Sequence, residues 1–174
     1  VERGRPSSFD EVIADARLIV VLEDVANADN VGGVFRNAAA FGADGVLLTP
    51  SSCDPLYRKA IRTSMAASLT VPTARLHDWP DVLSTLKSRG FTLVALTPNA
   101  RAETLDTLAN RSRPTRIALL VGAEGAGLSE AALLRADRRV RIPVRPNVHS
   151  LNLAVAVGIA LSRLSTLTFA SDLA

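Results

Sequence analysis

Glu124, Ser150 and Asn152 are polar residues set between apolar runs in the last third of the chain. Buried polar groups must find partners, so these three are candidates for a site rather than for plain packing. Glu124 lies inside Gly122-Ala123-Glu124-Gly125-Ala126-Gly127, where the glycines remove side chains and let a ligand approach the backbone. Ser150 and Asn152 open an apolar helical stretch that follows Arg141-Ile142-Pro143-Val144. Both places show an apolar strand that ends abruptly before a helix starts, which is where open α/β sheets bind ligands. One pocket shared by the two loops is the expectation. Glu124 could be a cap, an ion-pair partner of Arg36, or a catalytic group.

A second candidate is Asn30-Val31-Gly32-Gly33-Val34-Phe35-Arg36-Asn37. Val31, Val34, Phe35 and Ala38 recur at helical spacing, with Asn30 as the expected cap and Arg36 off the apolar face. Glycines in a first turn leave helix N–H groups open to a phosphate. On pattern alone, an ordinary capped helix with a solvated arginine is the preferred reading. The glycine loop at 122–127 has no Lys-Ser/Thr pair after it and lacks dinucleotide-fingerprint spacing. His77 and His149 are the only histidines, and neither adjoins a nucleophile elbow; His149, beside Ser150, faces either the site or solvent, with solvent the preferred reading. Two histidines and the single Cys53 provide no metal-ligand spacing. The groups Arg58-Lys59-Arg62 and Arg135-Arg138-Arg139-Arg141-Arg145 are candidate phosphate contacts, although such runs are more often solvated faces. Trp79 is read as packing and Cys53 as inert.

The elements that must carry these residues alternate between strand and helix. Apolar runs at 18–22, 45–49, 91–96, 115–121 and 140–142 read as strands, with a short strand within 69–76 broken by Pro72. Helices are expected at 9–16, 30–41, 56–63, 78–89, 129–134 and 150–163, and the stretch 99–114 is loop-rich with a helical turn near Leu105. Continuous apolar strands alternating with helices indicate an α/β fold, a mostly parallel sheet covered on both faces. The last helix is apolar or small on every side, and such a helix is buried. One of its faces is therefore expected on the sheet and the other on a second subunit.

The 174 residues suit one domain with a real core, and 48% apolar content makes the chain globular. No run is long and apolar enough for a membrane span. One cysteine excludes an internal disulfide and fits a reducing cytosol. Net charge is +3, and only Lys59 and Lys87 among the basic residues are lysines. Arginine grips phosphate bidentately, which leans toward nucleic acid. The 4% aromatic content argues against a base-stacking platform. The chain opens on Val1 with no signal-peptide pattern, so a trimmed chain with an upstream domain is expected. Residues 1–17 are then a linker remnant and 18–174 the functional domain.

Read together, three blocks resemble the motifs of the SpoU (TrmH) family of SPOUT RNA methyltransferases. They are Asn30-x-Gly-Gly-Val-Phe-Arg36-Asn37, Val121-Gly-Ala-Glu124-Gly-Ala-Gly-Leu-Ser129, and Ile142-Pro-Val-Arg-Pro-Asn-Val-His-Ser150-Leu-Asn152-Leu-Ala-Val-Ala. The resemblance covers about 18–164, in order. It implies a deep C-terminal trefoil knot, a homodimer through the last helix, and S-adenosyl-L-methionine (AdoMet) as cofactor. It also implies methyl transfer to a ribose 2′-hydroxyl of tRNA or rRNA, in the cytoplasm and without a metal.

Carried over by motif, the catalytic residues are Asn30, Arg36, Glu124, Ser150 and Asn152. The implied cofactor site is Leu96, Thr97, Pro98, Gly122, Ala123, Glu124, Gly127, Ile142, Pro143, Ser150, Leu151 and Asn152. RNA would meet Arg36, Arg58, Lys59, Arg62 and Arg145. A guanidinium hardly deprotonates, so Arg36 is read as a phosphate clamp and oxyanion stabiliser rather than as a base. Asn30, Glu124 and Asn152 would hold Arg36 and the ribose, while Ser150 caps the helix and orients Asn152. The chain departs from relatives at Ser64-Met65-Ala66-Ala67, where Ser-x-Gly-Ala is common, and at Arg145-Pro146-Asn147, which replaces a Gly-containing loop. Two other classes stay open: a non-catalytic RNA-binding relative that acts in assembly, and an α/β nucleotide enzyme that uses the glycine loop for phosphate.

Overall fold

The structure is a computed structural model that describes residues 7–111, 114–145, 147–148 and 150–169; the side chains of 109–111 and 166–169 are outside the description. His149, Pro146 and residues 1–6 therefore lie outside the described residues.

Seven strands form one sheet: β1 Leu18–Glu23, β2 Gly45–Leu48, β3 Thr73–Arg75, β4 Thr92–Leu96, β5 Glu103–Thr104, β6 Ile117–Gly122 and β7 Arg138–Arg141. Their order is β3-β2-β1-β6-β4-β7-β5, and every pairing is parallel. The helices are α1 Phe9–Ile13, α2 Ala28–Ala40, α3 Arg58–Thr63, α4 Val82–Ser88, α5 Leu105–Arg111, α6 Glu130–Arg135 and α7 Leu153–Phe169.

All six residues of β1 and of β6 are buried, which explains their uninterrupted apolar runs. Side chains alternate across a strand, so β1 serves two cores at once. Leu18, Val20 and Leu22 pack with Val34, Phe35, Leu108, Val157 and Leu161, under α2, α5 and α7. Ile19 and Val21 pack with Val12, Ile13, Leu83, Leu86 and Ala132, under α1, α4 and α6. Helices thus cover both faces, as expected.

Several boundaries differ from the sequence reading. α2 is capped by Asn27, whose side chain accepts from the Asp29 N–H, so Asn30 lies inside the first turn and not at the cap. Two asparagines and an aspartate in four positions offer equivalent caps by sequence alone. α7 starts at Leu153, with the Asn152 side chain accepting from the Val155 N–H; Ser150 is exposed and stands ahead of the helix. The loop-rich stretch holds the short strand β5 and the helix α5, whose Leu105 and Leu108 are buried. β3 begins after Pro72, because a proline cannot donate into the ladder.

Candidate active site

Three distant segments meet in one hydrogen-bonded group. The Asn152 side-chain amide donates to Asn30 Oδ1 at 2.9 Å and to Glu124 Oε1 at 3.1 Å. Asn30 is 3% exposed, so its carbonyl needs this partner. The same Glu124 oxygen accepts from the Leu153 backbone N–H at 3.4 Å. A carboxylate therefore sits at the positive end of the α7 dipole, and Asn152 serves both as cap and as donor. Of the three alternatives for Glu124, the cap is the one the structure displays. Glu124 and Asn152 are themselves exposed, so the group faces outward toward an incoming molecule.

The strand ends named in the sequence share one edge. β6, β4 and β7 are neighbours and parallel, so their C-terminal ends at Gly122, Leu96 and Arg141 adjoin. Thr97 extends the β4 end by donating its N–H to Val140 O at 2.9 Å. Leu96 and Ile142 are partly buried against the core, Leu151 is half-buried, and Pro98 and Pro143 are exposed. Above this edge the glycine loop folds back on itself, with Gly127 N–H donating to Ala123 O at 2.8 Å. A Cβ on Gly122 would stand 2.1 Å from the Gly127 carbonyl, so only glycine allows this closure. Gly125 and Gly127 have positive φ, and a Cβ on either would meet nothing within 4 Å. Bare backbone facing open space, with Glu124 beside it, fits a nucleoside cofactor that is read by main-chain groups.

Arg36 does not join the Asn30–Glu124–Asn152 group within one chain. It is exposed, has no partner among the described residues, and lines a groove of about 610 Å³ between α2 and α7. Small residues let the two helices approach closely beside the groove. A Cβ on Gly33 would come within 2.5 Å of the Ala154 Cβ, and the Asn37 amide donates to Ala154 O at 2.6 Å. Val155 and Ile159 stay 51% and 38% exposed along it, so only one face of the apolar helix packs on the sheet.

The two basic groups differ. Arg58 and Arg62 are exposed, and Lys59 bonds Asp29 at 2.7 Å. That hydrogen bond holds the Asp29 carboxyl below its ordinary pKa and lifts the Lys59 ammonium above its own. The second group is largely occupied within the chain. Arg138 pairs with Glu103, Arg135 with Asp81, Arg139 donates to Leu133 O and Arg141 to Ala102 O. Of that run, Arg145 stays among the RNA candidates, exposed at its loop. Burial pushes the Cys53 thiol up. Among the described residues no cluster of His, Cys, Asp or Glu could hold a metal. Among the described residues no helix is long and apolar enough to cross a membrane.

Sequence reasoning missed Glu23 and Asn37. Glu23 is buried, and its carboxylate accepts from Trp79 Nε1 at 2.6 Å and from Ser129 N at 2.8 Å, so Trp79 does more than pack. An acid that closes an unbroken apolar run was the available signal.

Comparison with known proteins identifies the family of the chain. The family model described as the SpoU rRNA Methylase family matches residues 17–162. An uncharacterised tRNA/rRNA methyltransferase of Mycobacterium tuberculosis is 48% identical over 153 residues, covering 88% of this chain and 53% of the relative. The chain spans about half the length of the curated relatives it matches first. The AdoMet-bound rRNA methyltransferase of Sinorhizobium meliloti superposes with a TM-score of 0.82 at 30% identity, covering 92% of this chain and 60% of that one. A structure concerned with 2-OH methylation of C/U34 on tRNA superposes at 0.75 with 31% identity, covering 89% of this chain and 98% of that one.

Proposed function

The chain belongs to the SpoU rRNA methylase family, and from that premise we propose that it transfers a methyl group from AdoMet to a ribose 2′-hydroxyl of tRNA or rRNA. The observation that carries the reading is the meeting of Asn30, Glu124 and Asn152 beside the bare glycine loop, at the joined ends of β4, β6 and β7.

AdoMet, when bound, supplies a methyl group already activated on a sulfonium. The proposed site for it is Leu96, Thr97, Pro98, Gly122, Ala123, Glu124, Gly127, Ile142, Pro143, Leu151 and Asn152, with Ser150 at the rim. The protein's part is alignment and charge. The exposed Glu124 and Asn152 are assigned to orient the ribose hydroxyl, a role supported by the Asn152 bonds to Glu124 and to the buried Asn30. Arg36, with no intrachain partner among the described residues, is assigned to the target phosphate and to charge that develops on the attacking oxygen. The cap role expected of Ser150 passes to Asn152. Arg58, Lys59, Arg62 and Arg145 are assigned to the RNA backbone.

The same reading takes residues 18–174 as the catalytic domain of a cytoplasmic enzyme. It includes a trefoil knot, a reading supported by the family match over residues 17–162 and compatible with α7 starting beside Glu124 of the glycine loop. It also includes a homodimer closing on Val155 and Ile159, whose exposure leaves half of an apolar helix uncovered.

Tritium transfer from AdoMet to bulk tRNA and rRNA, followed by mapping of alkali-resistant linkages, tests the proposal. Label at 2′-O positions supports it. Methyl groups on bases would sink the ribose assignment, and binding of RNA without binding of AdoMet would leave an assembly factor.

A further inference from the structure

Glu23 stands at the C-terminal end of β1, opposite Gly122 of β6 in the register, and is 4% exposed. A buried carboxylate persists only with donors, and this one has two from distant parts of the chain. Trp79 Nε1 donates to Oε1 and the Ser129 backbone N–H to Oε2. Ser129 is where the glycine loop ends, and its hydroxyl caps α6 by accepting from the Ala132 N–H. The loop's incoming foot is set by the sheet through Gly122, packed against the Gly127 carbonyl. Its outgoing foot is held by Glu23. Between the feet, Glu124 reaches α7.

We infer that Glu23 is a positioning residue that fixes the outgoing foot of the glycine loop, and through it Glu124, and that it couples the loop to Trp79. For the identity of the loop's ligand this rests on the cofactor reading above; the positioning itself does not. Gln in place of Glu23 keeps the shape but offers one acceptor oxygen and turns an NH₂ toward one of two donors.

The test uses the wild-type chain, Glu23→Gln and Trp79→Phe. In Glu23→Gln, hydrogen exchange at the Ser129 amide or the Trp79 indole rises at least about tenfold, the loss of one buried charge-assisted bond, while β1 and β6 amides hold. If neither moves, the inference is overturned. AdoMet affinity by calorimetry falls about tenfold in Glu23→Gln and stays within about twofold in Trp79→Phe, which keeps the Ser129 bond. Equal losses in both variants would overturn it, since Trp79 packing would then be the cause. Trp79 is the only tryptophan, so the emission reports the surroundings of this one indole, the Glu23 contact among them. In the wild type it shifts with the midpoint that calorimetry finds, and a silent tryptophan beside a clear heat overturns the coupling. This arm decides if Glu23→Gln does not fold. A wild type without any AdoMet heat counts against the cofactor reading instead, and the exchange comparison alone then decides the positioning.

Discussion

Asn152 Nδ2 lies 3.1 Å from Glu124 Oε1, so the residue that caps α7 also satisfies the carboxylate of the glycine loop. Asn152→Asp separates these duties. The aspartate still accepts from the Val155 N–H, so the cap survives. It places two carboxylates in contact and removes the donor from Asn30 and Glu124 together. Expected are a loss of methyl transfer on the order of 100-fold and a destabilisation of about 1–3 kcal/mol. Urea unfolding and single-turnover transfer check both.

Two glycines of one loop should respond unequally to alanine. At Gly122 the new Cβ would face the Gly127 backbone at 2.1 Å, and backbone cannot step aside as a side-chain tip can. Gly122→Ala is expected to cost about 3 kcal/mol or more and to abolish AdoMet heat. Gly125 has φ of 86° with open space around it, so Gly125→Ala costs only the left-handed strain, about 1–2 kcal/mol, and its Cβ, standing in the space offered to the cofactor, weakens binding without abolishing it. Unfolding curves and calorimetry on the two variants separate the readings.

What was legible in the sequence was what periodicity and motif carry. The runs at 18–22 and 115–121 became β1 and β6 because strands buried on both faces need no polar partner side. The strand order was not legible, since β6 enters between β1 and β4 through contacts far apart in sequence. β5 escaped because two residues hold no period, and α5 was read only as a helical turn near Leu105 because only Leu105 and Leu108 mark its buried side. At the site, the motifs named Asn30, Glu124 and Asn152 but not their bonds. Asn27 and Asn152 took the caps expected of Asn30 and Ser150, a choice made by packing rather than by residue type. Arg36 lies apart from the trio because it is on another face of α2, which no motif states.

Ala66 occupies a left-handed position, φ 67° and ψ 3°, directly after Met65 at φ 54°. The turn joins α3 to the short 3-10 helix Ala67–Leu69 and is held by Ala66 N–H donating to Ile61 O at 2.9 Å. A Cβ is unfavourable there by about 1–2 kcal/mol, partly offset because glycine gains unfolded-state freedom. Ala66→Gly is therefore expected to stabilise the chain by about 0.5–1 kcal/mol. A rise in the urea midpoint at constant slope checks it.

The basic ridge of α3 should divide by how each cation is already occupied. Arg58 and Arg62 are one turn apart and exposed, whereas Lys59 is held by Asp29. Removing a phosphate contact weakens all RNA sequences alike and lowers the salt slope by about one. Arg58→Ala and Arg62→Ala are each expected to do this, and Lys59→Ala to do less, because Asp29 already compensates its charge. Asp29→Asn is then expected to strengthen RNA binding and steepen the slope by releasing Lys59. The Asp29 carboxyl is held below its usual range, so the pair persists as pH falls through the ordinary aspartate pKa and dissolves only below the lowered one. Binding isotherms against salt for the four variants check the ranking. A Lys59→Ala slope loss equal to that of Arg62→Ala would show that RNA displaces Asp29, and the ridge would then act as three equivalent charges.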